Sequence, residues 1–478
     1  MAGENLKNRA KKGFIWGTVE RLVTNGIQFV LTVVLARLLS PDDYGIIAMP
    51  TIFLAIAQVL IDSGFANALI RKPDLNEKDL STAFYFNVIV GLGAYLILFI
   101  SSPLIADFFN TPILSNLLKV AALVVFLNSL GIVQQAVLTK IMDFKSQAII
   151  SAISTFVSGA LGVWMAYSGY GVWSLVSQQV SAALLRVVLL WLYGKWKPIW
   201  AWSQSSFMYL WNFGSKVIVI GLMDTIYNNV YAFVIGKKYT ADDLGYFTRA
   251  QHFADLPIAN INGIVQKVTL PLLSEIQEDN TRLSAIYLKL IEMTSLLIIP
   301  LMFGLASMGP PLVISLLGKE WEGCVLLFQI LCIARFWTPF NALNINLLQV
   351  KGRTDLLLKL ELAKKGVITI ILGLTFYRGV IFLVGGFAVC TFIAFMINTF
   401  YTKRLIGVSL LKQLQAILPA VSISIVMMIV ILLVNMVMTN VYLMLLVDSL
   451  LCLIIYSLLV FFFRRKTLKE LYSLMIKR

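Results

Sequence analysis

SPDDYG, at residues 40–45, interrupts one long apolar stretch of the chain, and TADDLG, at residues 240–245, interrupts another 200 residues later. Both copies fit the pattern S/T-x-D-D-x-G, and Asp at the start and Gly at the end of a loop are ordinary turn chemistry. Either copy alone can arise by coincidence. Two copies, each between long apolar segments, predict an internal repeat of membrane helices, and transporters built from such repeats bind their cargo where the repeats meet.

The composition is that of a membrane protein. Of 478 residues, 59% are hydrophobic and only 13% are charged. Many apolar stretches reach the roughly 20 residues with which a helix crosses a bilayer core, and they are too long and too continuous for the strands of a membrane β-barrel. We therefore predict an all-α integral membrane protein of about 14 transmembrane helices, in two groups of six and a final pair.

Residues 193–212 are rich in tryptophan and lysine, which together favour the membrane interface. This segment is predicted to be a cytoplasmic interfacial linker between an N-terminal six-helix bundle, 1–192, and a C-terminal six-helix bundle, 213–401. Residues 402–478 add two helices, peripheral to the pathway, and a basic cytoplasmic tail. Lysine and arginine concentrate in alternate loops and at the termini, so both termini are predicted to be cytoplasmic.

Several functional classes are excluded by what the sequence lacks. The net charge is +15, yet no basic helix with interleaved aromatic residues stands apart from the membrane segments, so no nucleic-acid partner is expected. The four cysteines lack C-x-x-C spacing and nearby histidines, so we predict no metal site and no cofactor. No P-loop or hydrolase motif is present, and the loops are too short for a catalytic domain. We therefore predict no catalytic residue and no enzyme activity.

Polar residues recur at membrane depth in the first span. A charge near the bilayer centre costs at least about 2.5–3.5 kcal/mol, so it normally faces a cavity or a partner. Glu20, Thr24 and Gln28 fall four residues apart, with Arg21 and Asn25 beside them. This spacing predicts one polar face of a helix.

The later spans carry similar polar faces. The 200-residue offset maps Thr24 onto Asp224 and Asp62 onto Asn262, although in span two, at about 45–66, the polar face is thinner and consists of Gln58 and Asp62. The second set comes from span seven at about 213–236, span eight at about 250–273 and span ten at about 322–348, and consists of Lys216, Asp224, Asn228, Asp255, Asn262, Gln266, Lys267, Arg335, Thr338 and Asn341. Together these faces predict a water-filled cavity shared by the two bundles.

The predicted cavity is mainly cationic. Arginine and lysine supply charge-assisted donors, which suit phosphate or pyrophosphate above all. The cations predicted to hold such an anion are Arg21, Lys216, Lys267 and Arg335. Asp224 and Asp255 are candidates for coupling to a proton or a sodium ion. The alternatives are that the cations snorkel to the interface and that the two acids are structural caps or ion-pair partners.

The chain also resembles a known family over nearly its whole length. LARLLSPDDYG at 35–45, DSGF at 62–65 and ALIR at 68–71 are similar to the N-terminal signature of Wzx-type polysaccharide exporters. INGIVQK at 261–267 and LLQVKGR at 347–353 are similar to later stretches of the same family. The likeness is greatest to the colanic-acid and teichuronic-acid exporter branch.

This resemblance implies membership in the multidrug/oligosaccharidyl-lipid/polysaccharide exporter superfamily. Its members have two six-helix bundles about a pseudo-twofold axis, a cationic central cavity and alternating access, and the family's cavity cations carry over by position onto Arg21 and Arg335. The implied cargo is an undecaprenyl-pyrophosphate-linked oligosaccharide, moved from the inner to the outer leaflet of the bacterial inner membrane. Ion gradients or the membrane potential, not ATP, are the implied energy source.

The predicted function is therefore that of a lipid-linked oligosaccharide flippase for lipopolysaccharide, capsule or exopolysaccharide, which contacts membrane lipids and works as a monomer. Two alternatives are an ion-coupled exporter of drugs or other small molecules on the same fold, and a membrane glycan polymerase. A cationic cavity argues against the first. The second is expected to carry a large outer loop rich in arginine and histidine, which this sequence lacks.

Overall fold

The computed structural model describes an all-helical chain. The described backbone covers residues 2–62 and 64–476, and the described side chains cover 16–17, 19–62, 64–263, 265–353, 355–458 and 461. Ser63 of the DSGF stretch and the basic side chains near both termini, which the sequence analysis assigns to the cytoplasm, lie outside these residues. No strand occurs between residues 2 and 62 or between residues 64 and 476.

The chain folds into two compact units, Met1–Gly245 and Tyr246–Arg478. The helices that begin in the first unit are α1 Ala2–Leu38, α2 Pro41–Ala48, α3 Thr51–Asp62, α4 Phe65–Arg71, α5 Glu77–Phe108, α6 Ile113–Ala121, α7 Leu123–Lys140, α8 Phe144–Tyr167, α9 Trp173–Tyr193, α10 Gln204–Lys238 and α11 Ala241–Glu275. The boundary between the units falls inside α11. The division into bundles at 193–212 therefore stays a prediction, distinct from these two units.

The second unit continues from α11. Its further helices are α12 Asn280–Ser307, α13 Gly309–Leu317, α14 Cys324–Arg335, α15 Thr338–Val350, α16 Thr354–Thr375, α17 Val380–Ile406, α18 Leu410–Asn435 and α19 Val441–Ile476. Most of α12 is buried. It packs along α18, which belongs to the final helix pair of the sequence analysis, and α17 packs along α14 and α16.

Twelve helical segments in the described residues are long and apolar enough to cross a membrane, whereas the sequence analysis predicted about 14. The difference is α11 and α16, which are long but too polar to count on composition alone. Charged residues recur along the 35 residues of α11. In α16 they crowd the first half, as Asp355, Lys359, Glu361, Lys364 and Lys365. That these two helices cross the membrane stays a prediction.

Three predicted spans are broken rather than continuous. Span two, predicted at about 45–66, contains the end of α2, all of α3 and the start of α4, with Pro50 before α3 and Gly64, at a φ of +66°, before α4. Span four, predicted at about 113–138, corresponds to α6 and α7, and span ten, predicted at about 322–348, corresponds to α14 and α15. Pro339 is the second residue of α15. A proline ring collides with the carbonyl four residues earlier, so the helix of span ten ends at Arg335.

The two copies of the S/T-x-D-D-x-G pattern fold in the same way. The Ser40 hydroxyl accepts a hydrogen bond from the backbone N–H of Asp43 (3.2 Å), and the Asp43 carboxylate accepts one from the Ser40 N–H (3.1 Å). At the start of α11, Thr240 and Asp243 form the same two bonds, at 3.1 and 3.3 Å. Each copy is therefore a capping box that begins a helix.

The glycines at the ends of the two motifs let the copies pack against each other. A β carbon on Gly45 would lie 1.8 Å from the carbonyl oxygen of Ala241, and a β carbon on Gly245 would lie 2.0 Å from that of Pro41. Residues 41 and 241 are equivalent under the 200-residue offset, so the contact is reciprocal, as in a twofold-related pair. Only glycine fits at either position.

The extended segment between α9 and α10 is fixed against the first unit. Because α10 begins at Gln204, this segment covers only 194–203, less than the predicted linker 193–212. The Gln134 side chain donates to the carbonyl of Trp196 (2.8 Å), and the Ser81 hydroxyl accepts from the N–H of Ile199 (3.0 Å). The Trp196 ring is buried among apolar residues, whereas that of Trp200 is 97% exposed.

Candidate functional site

The polar residues predicted in the first span divide between two sides of α1. Glu20 is half-buried and accepts a hydrogen bond from the Ser151 hydroxyl on α8 (3.0 Å). The Thr24 hydroxyl is buried and has no hydrogen-bond partner among the described residues. The remaining three are exposed: Arg21, Asn25 and Gln28. Their spacings of four and three residues place them on one stripe of the helix.

A second stripe lies on α10. Lys216, Asp224 and Asn228 are all exposed there. Multiples of four residues separate them, so they follow one side of a helix that has 3.6 residues per turn. The first unit therefore carries two stripes of candidate residues, one on α1 and one on α10, and Gln28 and Asn228 in these stripes are equivalent under the 200-residue offset.

Arg335 and Asp255 form an ion pair in the second unit. The Arg335 Nη2 donates to Asp255 Oδ2 at 3.0 Å, and Nε lies 2.6 Å from Oδ1. The guanidinium also lies over the ring of Phe387, 4.8 Å from its centre. The side chains remain 19% and 39% exposed respectively, so a solute can reach both members of the pair.

The break in span ten places Arg335 for this contact. Arg335 is the last residue of α14, and the break before Pro339 lets the chain change direction there. On the other side Asp255 lies two residues before Pro257 in α11. Both members of the pair therefore sit where proline perturbs a helix. The sequence pointed to a coupling role for Asp255, with an ion pair as the alternative, and the structure pairs Asp255 with Arg335.

The other candidates in the second unit have mixed surroundings. The Asn262 side-chain oxygen is buried without a hydrogen-bond partner among the described residues, whereas Gln266 and Lys267 are exposed. At the start of α15 Thr338 is half-buried, and Asn341 accepts a hydrogen bond from Asn398 on α17. Beyond Asn341, the buried Asn344 and Asn346 hydrogen-bond to neighbouring helices.

A buried polar network joins α15, α17 and α18. The Thr402 hydroxyl donates to Asn344 Oδ1 at 2.5 Å, and Asn344 Nδ2 lies 3.4 Å from Gln413 Oε1. All three side chains are fully buried. Buried polar groups of this kind are stable only while they satisfy one another, so the network holds three helices in register. The sequence around Gln413 does not indicate this network, because its partner Asn344 lies 69 residues away.

The first unit contains a polar cavity of about 340 Å³. Its walls come from α3, α4, α7 and α9. The polar residues that line it are Gln58, Asp62, Asn128, Gln135, Thr139 and Arg186. Asn128 Nδ2 donates to Gln58 Oε1 (2.9 Å), and Gln58 Nε2 donates to Asp62 Oδ1 (3.0 Å).

The sequence analysis recognised two of these residues and missed Arg186. Gln58 and Asp62 form the thinner face of span two, but Arg186 has no charged neighbour in its own helix. Its positive charge acts on Asp62. A lone arginine in an apolar span is itself a signal, because a charge at that depth needs a cavity or a partner.

None of the four cysteines, all within the described residues, forms a disulfide. Cys324, Cys332 and Cys390 are buried, and Cys452 is half-buried. Among the residues that the structure describes, no group of three or more His, Cys, Asp or Glu side chains comes close enough to hold a metal ion.

Comparison with protein families identifies a match over most of the chain. A family model described as polysaccharide biosynthesis protein matches residues 34–326. The teichuronic acid biosynthesis protein TuaB of Bacillus subtilis (strain 168) is 24% identical over 354 residues, 74% of this chain and 73% of that protein. The lipopolysaccharide biosynthesis protein WzxC of Escherichia coli (strain K12) is 23% identical over 366 residues, 75% of this chain and 74% of that protein.

Comparison with solved structures identifies the same kind of fold. The lipid II flippase MurJ, in an inward closed conformation, superposes with a TM-score of 0.78 at 14% identity, covering 95% of this chain and 100% of that one. A likeness at this identity is evidence of fold alone. It confirms the predicted all-α membrane transporter fold, and the relatives confirm the resemblance seen in the sequence.

Proposed function

The chain belongs to the polysaccharide biosynthesis protein family, and from this premise we propose that it is a flippase for a lipid-linked oligosaccharide. Its cargo is an oligosaccharide on undecaprenyl pyrophosphate, moved from the inner to the outer leaflet of the bacterial inner membrane by alternating access. The product serves surface polysaccharide biosynthesis. The protein is a transporter and not an enzyme, which sets aside the glycan polymerase.

The observation that carries this proposal is the family match over residues 34–326. The described residues of the chain also include twelve helical segments that are apolar and long enough to span a membrane. Relatives named for teichuronic acid and lipopolysaccharide biosynthesis support the same cargo class. Glycan repeat units are assembled on lipid carriers inside the cell, and a polar head group does not cross a hydrocarbon core unaided, because each unpaired polar group costs several kcal/mol there. A membrane protein of this family therefore supplies the crossing.

In the proposed mechanism the candidate cations hold the pyrophosphate. Arg21 and Arg335 are the principal pair because a guanidinium binds phosphate through two parallel hydrogen bonds, and Lys216 and Lys267 act as point charges. The polar residues that line the path of the sugar are Glu20, Thr24, Asn25, Gln28, Asn228, Asn262, Gln266, Thr338 and Asn341. The lipid tail stays in the bilayer, so only the head group has to leave water.

The proposed coupling uses Asp255 and Asp224. Asp255 already neutralises Arg335, at 2.6 Å between Oδ1 and Nε. An arriving pyrophosphate therefore competes with the carboxylate for the guanidinium, and a proton or sodium ion on Asp255 favours the exchange. Loss of that ion restores the pair and expels the anion. The protein acts as a monomer with both termini in the cytoplasm.

The proposal is tested in the organism that encodes the protein. Deletion of the gene should abolish one surface polysaccharide and make its lipid-linked precursor accumulate with the head group facing the cytoplasm. Reintroduction of the wild-type gene should restore export. Normal surface polysaccharide in the deletion strain, or a precursor that already faces outward, would refute the proposal.

A further inference from the structure

We propose that the polar cavity of the first unit is a sugar subsite, which binds one pyranose ring of the oligosaccharide head group. The cavity is the one lined by Gln58, Asp62, Asn128 and Arg186. This inference rests on the proposed function, since it assigns a binding site to part of the same cargo. It concerns residues that the predicted cationic set does not include.

The size of the cavity fits a single ring. Its volume of about 340 Å³ is near the lower end of the roughly 300–1,000 Å³ found for small-molecule sites. A whole oligosaccharide or an undecaprenyl tail is too large for it. A tail also offers no hydrogen bond to Arg186 or to the free oxygens of the wall, and a sugar does.

The chemistry of the wall fits a ring that both donates and accepts hydrogen bonds. Three side-chain amides, a carboxylate, a hydroxyl and a guanidinium converge on an apolar floor that includes Ile132 and Val187. Amides donate and accept at once, a carboxylate only accepts and a guanidinium only donates. Sugar hydroxyls do both around a ring with apolar C–H faces. None of the described residues that line the cavity is aromatic, which disfavours a flat apolar drug.

The polar side chains are already oriented. Asn128 donates to Gln58, which in turn donates to Asp62, at 2.9 and 3.0 Å. This chain fixes which end of each amide is oxygen and which is nitrogen. It uses one oxygen of Asp62 and leaves Asp62 Oδ2 and Asn128 Oδ1 without a hydrogen bond among the described residues. A preorganised site loses little entropy when its ligand binds.

Arg186 completes the site from the opposite helix. It projects from α9 into the cavity and is exposed there, and no described residue accepts a hydrogen bond from it. Its five N–H donors are therefore available to a ligand. Asp62 on α3 and Arg186 on α9 then hydrogen-bond to different sides of one sugar ring. A site that hydrogen-bonds particular hydroxyls rejects sugars that lack them. This cavity therefore selects among glycans, whereas the cations that hold the pyrophosphate bind every lipid-linked oligosaccharide in the same way.

Cysteine protection tests the subsite directly. In full-length protein with its four cysteines replaced, Ala66→Cys places one thiol in the cavity wall, and Ser168→Cys places one in an exposed loop as the control. The probes are methyl glycosides of glucose, galactose, N-acetylglucosamine and glucuronic acid, with sorbitol and inorganic phosphate as comparisons. The readout is the rate of labelling by a water-soluble maleimide.

We expect at least one glycoside to protect the cavity thiol alone. With a millimolar site and a sugar at ten times its Kd, labelling of Ala66→Cys should slow about tenfold, and labelling of Ser168→Cys should not change. Arg186→Met should abolish the protection and Arg186→Lys should restore part of it, with both variants monodisperse in detergent. Protection by no glycoside, protection that survives Arg186→Met, or protection by phosphate instead of sugar would overturn the subsite.

A parallel measurement of flipping separates this inference from the function on which it rests. Normal flipping of the lipid-linked oligosaccharide without sugar protection would refute the subsite and leave the proposed flippase function standing. Sugar protection without flipping would refute the proposed flippase function and leave the sugar-binding cavity standing.

Discussion

Arg335 and Asp255, 80 residues apart in the chain, form an ion pair in which Nε and Oδ1 are 2.6 Å apart. The strongest candidate for binding pyrophosphate in the second unit is therefore occupied by a carboxylate before any cargo arrives. Because like charges exclude each other from one guanidinium, binding of an anion and ionisation of Asp255 oppose each other. In the proposed mechanism, the pair is therefore the point at which cargo and ion are coupled.

The first prediction concerns this competition. Asp255→Asn removes the competing charge and should tighten binding of the lipid-linked oligosaccharide about tenfold, which is about 1.4 kcal/mol. Arg335→Gln should weaken it by a similar factor. Affinity is measured by ligand-induced change in tryptophan fluorescence of the detergent-purified protein. Asp355→Asn, which removes an exposed acid paired with Arg353, is the matched control and should change nothing. Weaker binding by Asp255→Asn would contradict the competition.

The second prediction concerns the reciprocal contact of the two motifs. Gly45→Ala places a methyl group 1.8 Å from a backbone oxygen, and overpacking of this kind typically costs about 1–3 kcal/mol. Gly245→Ala should behave alike. Thermal unfolding in detergent gives the readout, and both variants should unfold at lower temperature than the wild type.

Gly93→Ala is the control for this experiment. A β carbon on Gly93, inside α5, meets no atom within 4 Å. Alanine is favoured over glycine in a helix by about 0.5–1 kcal/mol, so this variant should be as stable as the wild type or slightly more so. Equal stability of Gly45→Ala and Gly93→Ala would mean that the two motifs do not pack closely.

The third prediction concerns the pH dependence at the same motif. Partial burial, followed by the charges of Asp242 and Asp43, raises the pKa of Asp42 above its ordinary value. A carboxyl whose pKa is raised by folding destabilises the folded state when ionised, and this effect disappears as the pH falls through the raised pKa toward the ordinary one. Asp42→Asn should therefore raise the melting temperature at pH 7.

The gain from Asp42→Asn should shrink as the pH approaches 4, where the wild-type carboxyl is itself becoming neutral. Melting curves from pH 4 to 8 provide the check. Asp74→Asn, an exposed acid in the loop between α4 and α5, serves as the control. A gain that is the same at every pH would show that the charge of Asp42 is not its cause.

Much of the fold was predictable because lipid imposes a simple rule on a chain. Apolar runs long enough to cross a bilayer had to be helices, and the two S/T-x-D-D-x-G motifs indicated the internal repeat. The comparisons confirm the family and the fold class. The breaks were less predictable: Pro339 marks one, but nothing in the pattern of span four shows the break between α6 and α7.

The candidate site was harder to predict because it depends on contacts between distant helices. Helical spacing predicted one polar face formed by Glu20, Thr24 and Gln28 with Arg21 and Asn25 beside them. In the structure Arg21, Asn25 and Gln28 are exposed together, whereas Glu20 bonds to α8. The pairing of Arg335 with Asp255 joins two helices whose relative rotation no periodicity specifies. Arg186 was missed for the same reason, since its cavity is assembled from four helices.

The fourth prediction concerns the buried network of the second unit. Asn344→Ala removes the nearer acceptor of the Thr402 hydroxyl and the acceptor of Gln413 Nε2, which costs about 1–3 kcal/mol. Ser424→Ala is the control, because the buried Ser424 hydroxyl bonds only to the carbonyl of Ala420 in its own helix. The melting temperature should fall clearly for the first variant and little for the second. Equal shifts would show that the network adds nothing beyond local hydrogen bonds.

The most direct test of the flippase is transfer of the head group across a sealed bilayer. Purified protein is reconstituted into vesicles that contain the lipid-linked oligosaccharide, and an impermeant glycosidase is added outside. With wild-type protein, digestion should proceed to completion, whereas in vesicles with the folded double variant Arg21→Ala, Arg335→Ala it should stop at the fraction that faced outward at the start. Wild-type vesicles that stop at that same fraction, like vesicles without protein, would contradict the account.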